Sequence, residues 1–189
     1  MKRLALILVA ALTLYADRPV DALIRGALAQ VGVTRSYDPA YRRIPYPNGD
    51  VPMSTGVCTD VVIRAFRAAG IDLQVLVHED MRANFRAYPK NWGLTRPDRN
   101  IDHRRVPNLA TFFRRRGGAL PVTSRGAAYK PGDIVTWRLS SGVPHIGLVS
   151  STKVRGTDRY RVVHNIGSGA QHEDVLFAYE VTGHYRWFR

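Results

Sequence analysis

One thiol and two imidazoles in this chain have the types and setting for covalent chemistry. Cys58 is the only cysteine in 189 residues. It follows Gly56-Val57 and opens a helical pattern in which Val61, Val62, Ala65, Phe66 and Ala69 recur, with Gly70 as a stop. At a helix start, unpaired backbone N–H groups and the helix dipole favour a negative charge and would lower a thiol pKa. The structural alternative is a small buried apolar residue. A thiol nucleophile also needs a base close by and a group to orient that base. His145 opens a strand after Pro144, and its alternation puts His145, Gly147 and Val149 on one face. Gly147 leaves space beside the imidazole. On the next strand His164 and Asn165 point to opposite faces, so only one of them can face His145, and either type could orient it.

The elements that must position these groups come in two blocks. Helical spacing is expected over Val20–Val31, from Cys58 to Gly70, from Leu73 to Tyr88 before Pro89, and around Leu109–Phe113 before Gly117-Gly118. Between the first two helices, residues 34–56 carry four prolines, an Asn48-Gly49 turn and the tyrosines Tyr37, Tyr41 and Tyr46. Such a loop is either one wall of a cleft or a packed surface loop. After Gly126 the period changes to two, with strands expected at Ile134–Leu139, His145–Ser150, Tyr160–Asn165, Val175–Val181 and His184–Phe188. Short connections imply an antiparallel sheet, and helices followed by strands read as an α+β fold.

Lys and Arg number 28 against 15 Asp and Glu, a net charge of +13 that attracts anionic cell-envelope polymers, acidic lipid or nucleic acid. No nucleic-acid recognition motif accompanies it, so nucleic acid is not the expected partner. The N-terminus reads Lys2-Arg3, an apolar run from Leu4 to Leu14, then Tyr15-Ala16, which is the pattern of a secretory signal at 1–16 ahead of one domain at 17–189. The run is too short for an ordinary membrane span, so no stable span is expected after cleavage, although Leu14 leaves an uncleaved anchor open. Export to the periplasm or medium follows from this reading. With a single cysteine there is no intrachain disulfide framework.

The pieces Gly56-Val57-Cys58, Pro131-Gly132-Asp133-Ile134-Val135, Pro144-His145-Ile146-Gly147-Leu148-Val149 and Val162-Val163-His164 resemble the motif series of the NlpC-type papain-like cell-wall peptidases. More closely, the stretch from Tyr37 to Tyr185 resembles the domain-of-unknown-function family 1287. Gly49-Asp50-Val51-Pro52, Val57 to Phe66, His78-Glu79-Asp80-Met81, Arg96 to Leu109 and Gly183-His184-Tyr185-Arg186 carry that likeness. The resemblance implies a circularly permuted papain-like fold and cysteine amide hydrolysis, most often of peptidoglycan stem peptides. Two departures stand out: the usual Asp-Cys-Ser is Val57-Cys58-Thr59 here, and segment 96–108 lies outside the general peptidase pattern.

On that reading Cys58 attacks an amide carbonyl, His145 protonates the leaving amine and activates the deacylating water, and His164 holds the tautomer of His145, with Asn165 as fallback. The Cys58 N–H and the hydroxyl of Tyr46, a tyrosine twelve residues ahead of the cysteine as in that superfamily, would stabilise the oxyanion. Asp60 either caps the helix or meets the amine of a peptide substrate. His103, Arg104 and Arg105 are the candidates to receive stem-peptide carboxylates.

Three rivals share these residues or this charge: a binding protein on the same fold, an acyl or transpeptidyl transferase using the same Cys58, and a nucleic-acid binder. No metal and no cofactor are expected. His78-Glu79-Asp80-Met81-Arg82 places Arg where a zinc-protease motif needs its second His, and His172-Glu173-Asp174 reads as loop.

Overall fold

The computed structural model describes residues 18–188, so the expected signal segment lies outside the described residues. Within them the fold is α+β, with four α-helices followed by an antiparallel six-stranded sheet. Helix α1 (Pro19–Leu28) starts on a proline, whose missing N–H is one of those a first turn leaves unpaired anyway. It buries Leu23, Ile24 and Ala27 and crosses α2 (Cys58–Ala68) at Gly26, where a Cβ would collide with that of Ala68. Helix α2 is the centre of the molecule, with every residue from Cys58 to Phe66 buried. It ends before Gly70, whose φ of +78° suits a residue without a side chain. Helix α3 (Leu73–Asn84) is capped by the Asp72 carboxylate, which accepts from the Gln74 N–H at 3.0 Å. The expected run to Tyr88 stops at Asn84 and tightens into a 3-10 turn over Phe85–Ala87. Helix α4 (Val106–Arg115) packs Phe112 and Phe113 with Trp187 and Phe66.

Two short parallel strands, β1 (Ser36–Tyr37) and β2 (Thr55–Gly56), lie just ahead of α2. The main sheet holds β3 (Ala119–Leu120), β4 (Ile134–Arg138), β5 (Pro144–Lys153), β6 (Tyr160–Asn165), β7 (Ala170–Glu173) and β8 (Glu180–Tyr185), in the order β3-β8-β4-β5-β6-β7. The expected strand at Val175–Val181 is corrected. The Ala178 N–H turns back to the Val175 carbonyl at 3.1 Å, and Trp137 Nε1 donates to the Leu176 carbonyl at 2.9 Å. With the backbone so engaged, the strand begins only at Glu180 and takes in His184 and Tyr185, where the last strand was expected to run on to Phe188.

Both faces of the sheet are covered. The inner face, with Ile134, Ile146, Leu148, Val163, Ala170 and Tyr185, belongs to the same core as Cys58 and the helices. On the outer face Val135, Trp137, Val149 and Val162 pack with Tyr129 and Leu176. Cross-strand partners share a face. Trp137 is opposite His145 and Gly147 is opposite His164, which fixes where both imidazoles lie. A Cβ on Gly147 would sit 2.7 Å from Val162 Cγ1 and 3.0 Å from the Val163 carbonyl. Gly147→Ala is therefore expected to destabilise the fold by about 1–3 kcal/mol, read as a lower urea midpoint with unchanged slope.

Candidate active site

Cys58 is the first residue of α2 and is 3% exposed. Its sulfur belongs to a cleft of about 350 Å³ lined by Tyr37, Tyr41, Trp92, Arg104, Arg105 and Pro144, among others. Burial pushes the Cys58 thiol up to about 11; the Ile146 N–H, the Tyr37 hydroxyl and the Thr59 N–H pull it down, and the Asp60 carboxylate pushes it up again. Desolvation thus outweighs the helix start, and the thiol is protonated at neutral pH. The Tyr37 hydroxyl is itself held far above its ordinary range, first by burial and then by Cys58.

The base of the cleft is ionic. Arg104 grips Asp60 with Nε to Oδ1 and Nη2 to Oδ2, both at 2.9 Å. Asp60 also accepts the Val57 N–H at 2.7 Å, which satisfies a donor at the helix start. Thr59 Oγ1 donates to the Arg104 carbonyl at 3.0 Å, so the two segments are clasped twice. With both partners buried, this pair is neutral as a unit, and the Arg104 guanidinium is spent within the fold.

His145 and His164 do meet, but on the outer face. His145 Nε2 and His164 Nδ1 are 2.9 Å apart, and His164 Nε2 is 3.0 Å from Glu173 Oε2. A carboxylate only accepts, so His164 Nε2 carries the hydrogen, its Nδ1 accepts, and His145 donates through Nε2. The His145 ring lies 5.7 Å from that of Trp137, centroid to centroid. Burial, then the neighbouring His164, brings His145 down to about 3; burial likewise lowers His164 against the opposing pull of Glu173. Along β5 the His145 side chain thus takes the side of Trp137, while the Ile146 N–H that acts on the sulfur belongs to the next peptide. Pro144 and Ile146, on either side of His145, are the residues of β5 that face the thiol's side, Pro144 in the cleft and Ile146 in the inner core.

The other expected residues divide in the same way. Asn165 is on the thiol's face, but its amide donates to the carbonyls of Ser36 at 3.2 Å and Gly56 at 3.1 Å. Tyr46 packs edge-on against His78 with the Arg99 guanidinium over its ring, and Tyr37 is the tyrosine beside the sulfur. His103 is buried, and burial with Arg67 and Arg104 close by lowers it to about 3, so it carries no charge for a carboxylate. Arg105 is the cleft arginine that stays partly exposed. It donates to Asp102 at 3.1 Å and stacks 4.1 Å over Trp92. Tyr37, Tyr41, Trp92 and Glu173 are the site residues that the sequence reading did not single out. The tyrosine-bearing loop was the visible signal for the first two.

With an α+β domain and a lone thiol at its helix–sheet junction established, the chain can be placed among known proteins. It belongs to the family described as Domain of unknown function (DUF1287), whose model matches residues 24–187. It is 56% identical over 168 residues to the uncharacterized protein YijF of Escherichia coli (strain K12), a match covering 88% of this chain and 81% of that protein.

Removing Asp60 would leave a buried guanidinium without a counter-charge. Asp60→Ala is expected to cost about 3–5 kcal/mol, measurable by urea unfolding. His145 binds a proton near pH 6.5 when unfolded but only near pH 3 when folded. Its contribution to stability is therefore complete above about 6.5 and declines as pH falls toward 3, at up to about 1.4 kcal/mol per pH unit. His145→Phe should flatten the fall in unfolding free energy between pH 6.5 and 4 relative to the parent.

Proposed function

We propose that this chain is an exported ligand-binding protein of the cell envelope, and that the cleft above Cys58 takes a peptide or amide ligand without turning it over. The observation that carries this reading is a buried thiol held above its ordinary range in a cleft whose lining residues include no imidazole. Burial pushes the thiol up to about 11, so the neutral thiol is favoured at pH 7, and no imidazole lines the cleft to shift that balance. The walls suit an amide-bearing ligand with a carboxylate: Tyr37, Tyr41 and Trp92 offer ring faces, and Arg105 offers a guanidinium. Export rests on the Lys2-Arg3 start and the apolar run Leu4–Leu14.

A second reading has its own support. Backbone N–H groups of Ile146 and Thr59, together with the Tyr37 hydroxyl, act on the sulfur in the direction that stabilises a thiolate. That is the requirement of a cysteine peptidase or amidase of the papain-like, circularly permuted kind, cleaving peptidoglycan stem peptides through Cys58, His145 and His164. The transferase reading needs the same thiolate.

The test is incubation of soluble muropeptides with the protein and with Cys58→Ala, with binding followed by calorimetry and products by mass spectrometry. The expected outcome is comparable binding by both and intact peptides. Thiol alkylation should be slow at pH 7 and accelerate as pH approaches 11. New cleavage products made by the parent and absent with Cys58→Ala would replace the binding reading with the hydrolase.

A further inference from the structure

Beside the Cys58 cleft, and sharing Tyr41 with it, lies a second cavity of about 630 Å³ between the loop after β1, the side of α3 and segment 94–100. Its charge is lopsided. Arg43, Arg96 and Arg99 line it, and the one carboxylate among its lining residues is Asp98. Other arginines of the fold are neutralised by carboxylates, among them Arg64 with Asp50, Arg104 with Asp60, Arg115 with Asp80, Arg159 with Asp174 and Arg186 with Asp133, whereas Arg155 and Arg161, for example, form no ion pair among the described residues; what sets this cavity apart is that three such arginines line one space. Among the described residues, Arg43, Arg96 and Arg99 form no ion pair, and Arg99 only rests over the Tyr46 ring at 5.5 Å. Asp98 does not answer them. Its oxygens accept from the Tyr41 hydroxyl at 3.0 Å and from the Asn100 N–H and side-chain amide at 2.9 and 3.0 Å.

His78 of α3 is among the lining residues, and its Nδ1 is buried without a hydrogen-bond partner. That atom is sealed from solvent, so the imidazole meets the cavity through the rest of its ring. The groups that act on this imidazole are Arg82 and Arg99 on one side of the balance and Asp98 and Glu79 on the other; with burial the largest influence, it is held below the ordinary histidine range.

We infer that this cavity is an anion site that takes a terminal phosphate group, gripped by Arg43, Arg96 and Arg99, with His78 in its lining. Three guanidinium charges against one carboxylate leave a surplus of about two positive charges, which matches the charge of about −1.5 to −2 on a phosphate monoester at neutral pH. A single carboxylate would leave half of that surplus unmet. Guanidinium forks also fit the several oxygens of a phosphate better than point cations do. The site does not depend on whether Cys58 reacts, since it shares no residue with the thiol's immediate surroundings beyond the common wall at Tyr41.

The experiment is an NMR titration of the purified full chain with inorganic phosphate and with glycerol 3-phosphate at constant ionic strength, with acetate as the control anion. The expected result is saturable binding of both phosphates, tighter than acetate, with movement of the His78 ring signals and a rise in the pH at which they titrate. Arg96→Gln and Arg99→Gln, at exposed positions that leave the core untouched, should each weaken binding by about tenfold or more. Arg155→Gln, in the exposed turn after β5, should leave it unchanged. Phosphatidic acid vesicles that compete with glycerol 3-phosphate would place the phosphate on a membrane lipid, and vesicles that fail to compete would place it on a soluble ligand; either result keeps the site. Phosphate binding no tighter than acetate would overturn the inference. So would equal weakening by Arg155→Gln and Arg96→Gln, because that is the behaviour of diffuse surface charge.

Discussion

The ion pair between Asp60 and Arg104 is the constraint on which the cleft depends. Two planar groups meet edge to edge below the sulfur, and the same guanidinium reaches toward the carbonyls of Ala40 and Asp38. The start of α2, the loop after β1 and the turn before α4 are thereby brought to one point. One helical turn further on, Arg64 repeats the device, gripping Asp50 and the carbonyls of Val51, Pro52 and Thr55. A proline-rich loop with little regular structure is thus pinned by Arg64 and Arg67 of α2, the latter donating to the Gly49 carbonyl at 2.7 Å, and by Arg104, itself held by Asp60. Such clamps are unforgiving, because a buried charge that loses its partner keeps its desolvation penalty.

The sheet imposes the second constraint. Side chains of a strand alternate between faces, so neighbours in sequence can be separated by the full thickness of the sheet. On β5 the alternation puts Pro144 and Ile146 toward Cys58 and His145 toward Trp137. The imidazole pair then finds its orienting group in Glu173 of β7, and the result is a tight polar chain set among apolar residues on the outer face. Burial, helped by the Asp60 carboxylate, outweighs the N–H groups at the helix start and keeps the thiol protonated.

Much of this was legible in the residues. Apolar spacing marked the four helices, glycines marked three of their ends, and period-two runs marked β4, β5 and β6. Cys58 was placed correctly at a helix start, and the tyrosine-rich loop does form a cleft wall through Tyr37 and Tyr41. What could not be read was which face of β5 meets α2. His145 through Ser150 are all buried, so polarity does not alternate there and no side is marked as inner. Short β7 escaped notice because Gln171-His172-Glu173 lacks an apolar rhythm. Arg104 was misjudged for a different reason. An arginine in a basic run looks like a free cation in sequence, and only the fold reveals the carboxylate 44 positions away that claims it.

The side-chain amide of Asn165 links the end of β6 to the backbone of β1 and β2, across 129 and 109 positions of chain. Through it, the strand that arrives late in the chain supplies donors to the segment that leads into Cys58. Loops this long close slowly, because distant partners must be found before any contact rewards the search. The approach to the cysteine is therefore completed only once β6 is present to supply Asn165, and a chain emerging amino-terminus first carries its lone thiol through an interval in which this tie has yet to close.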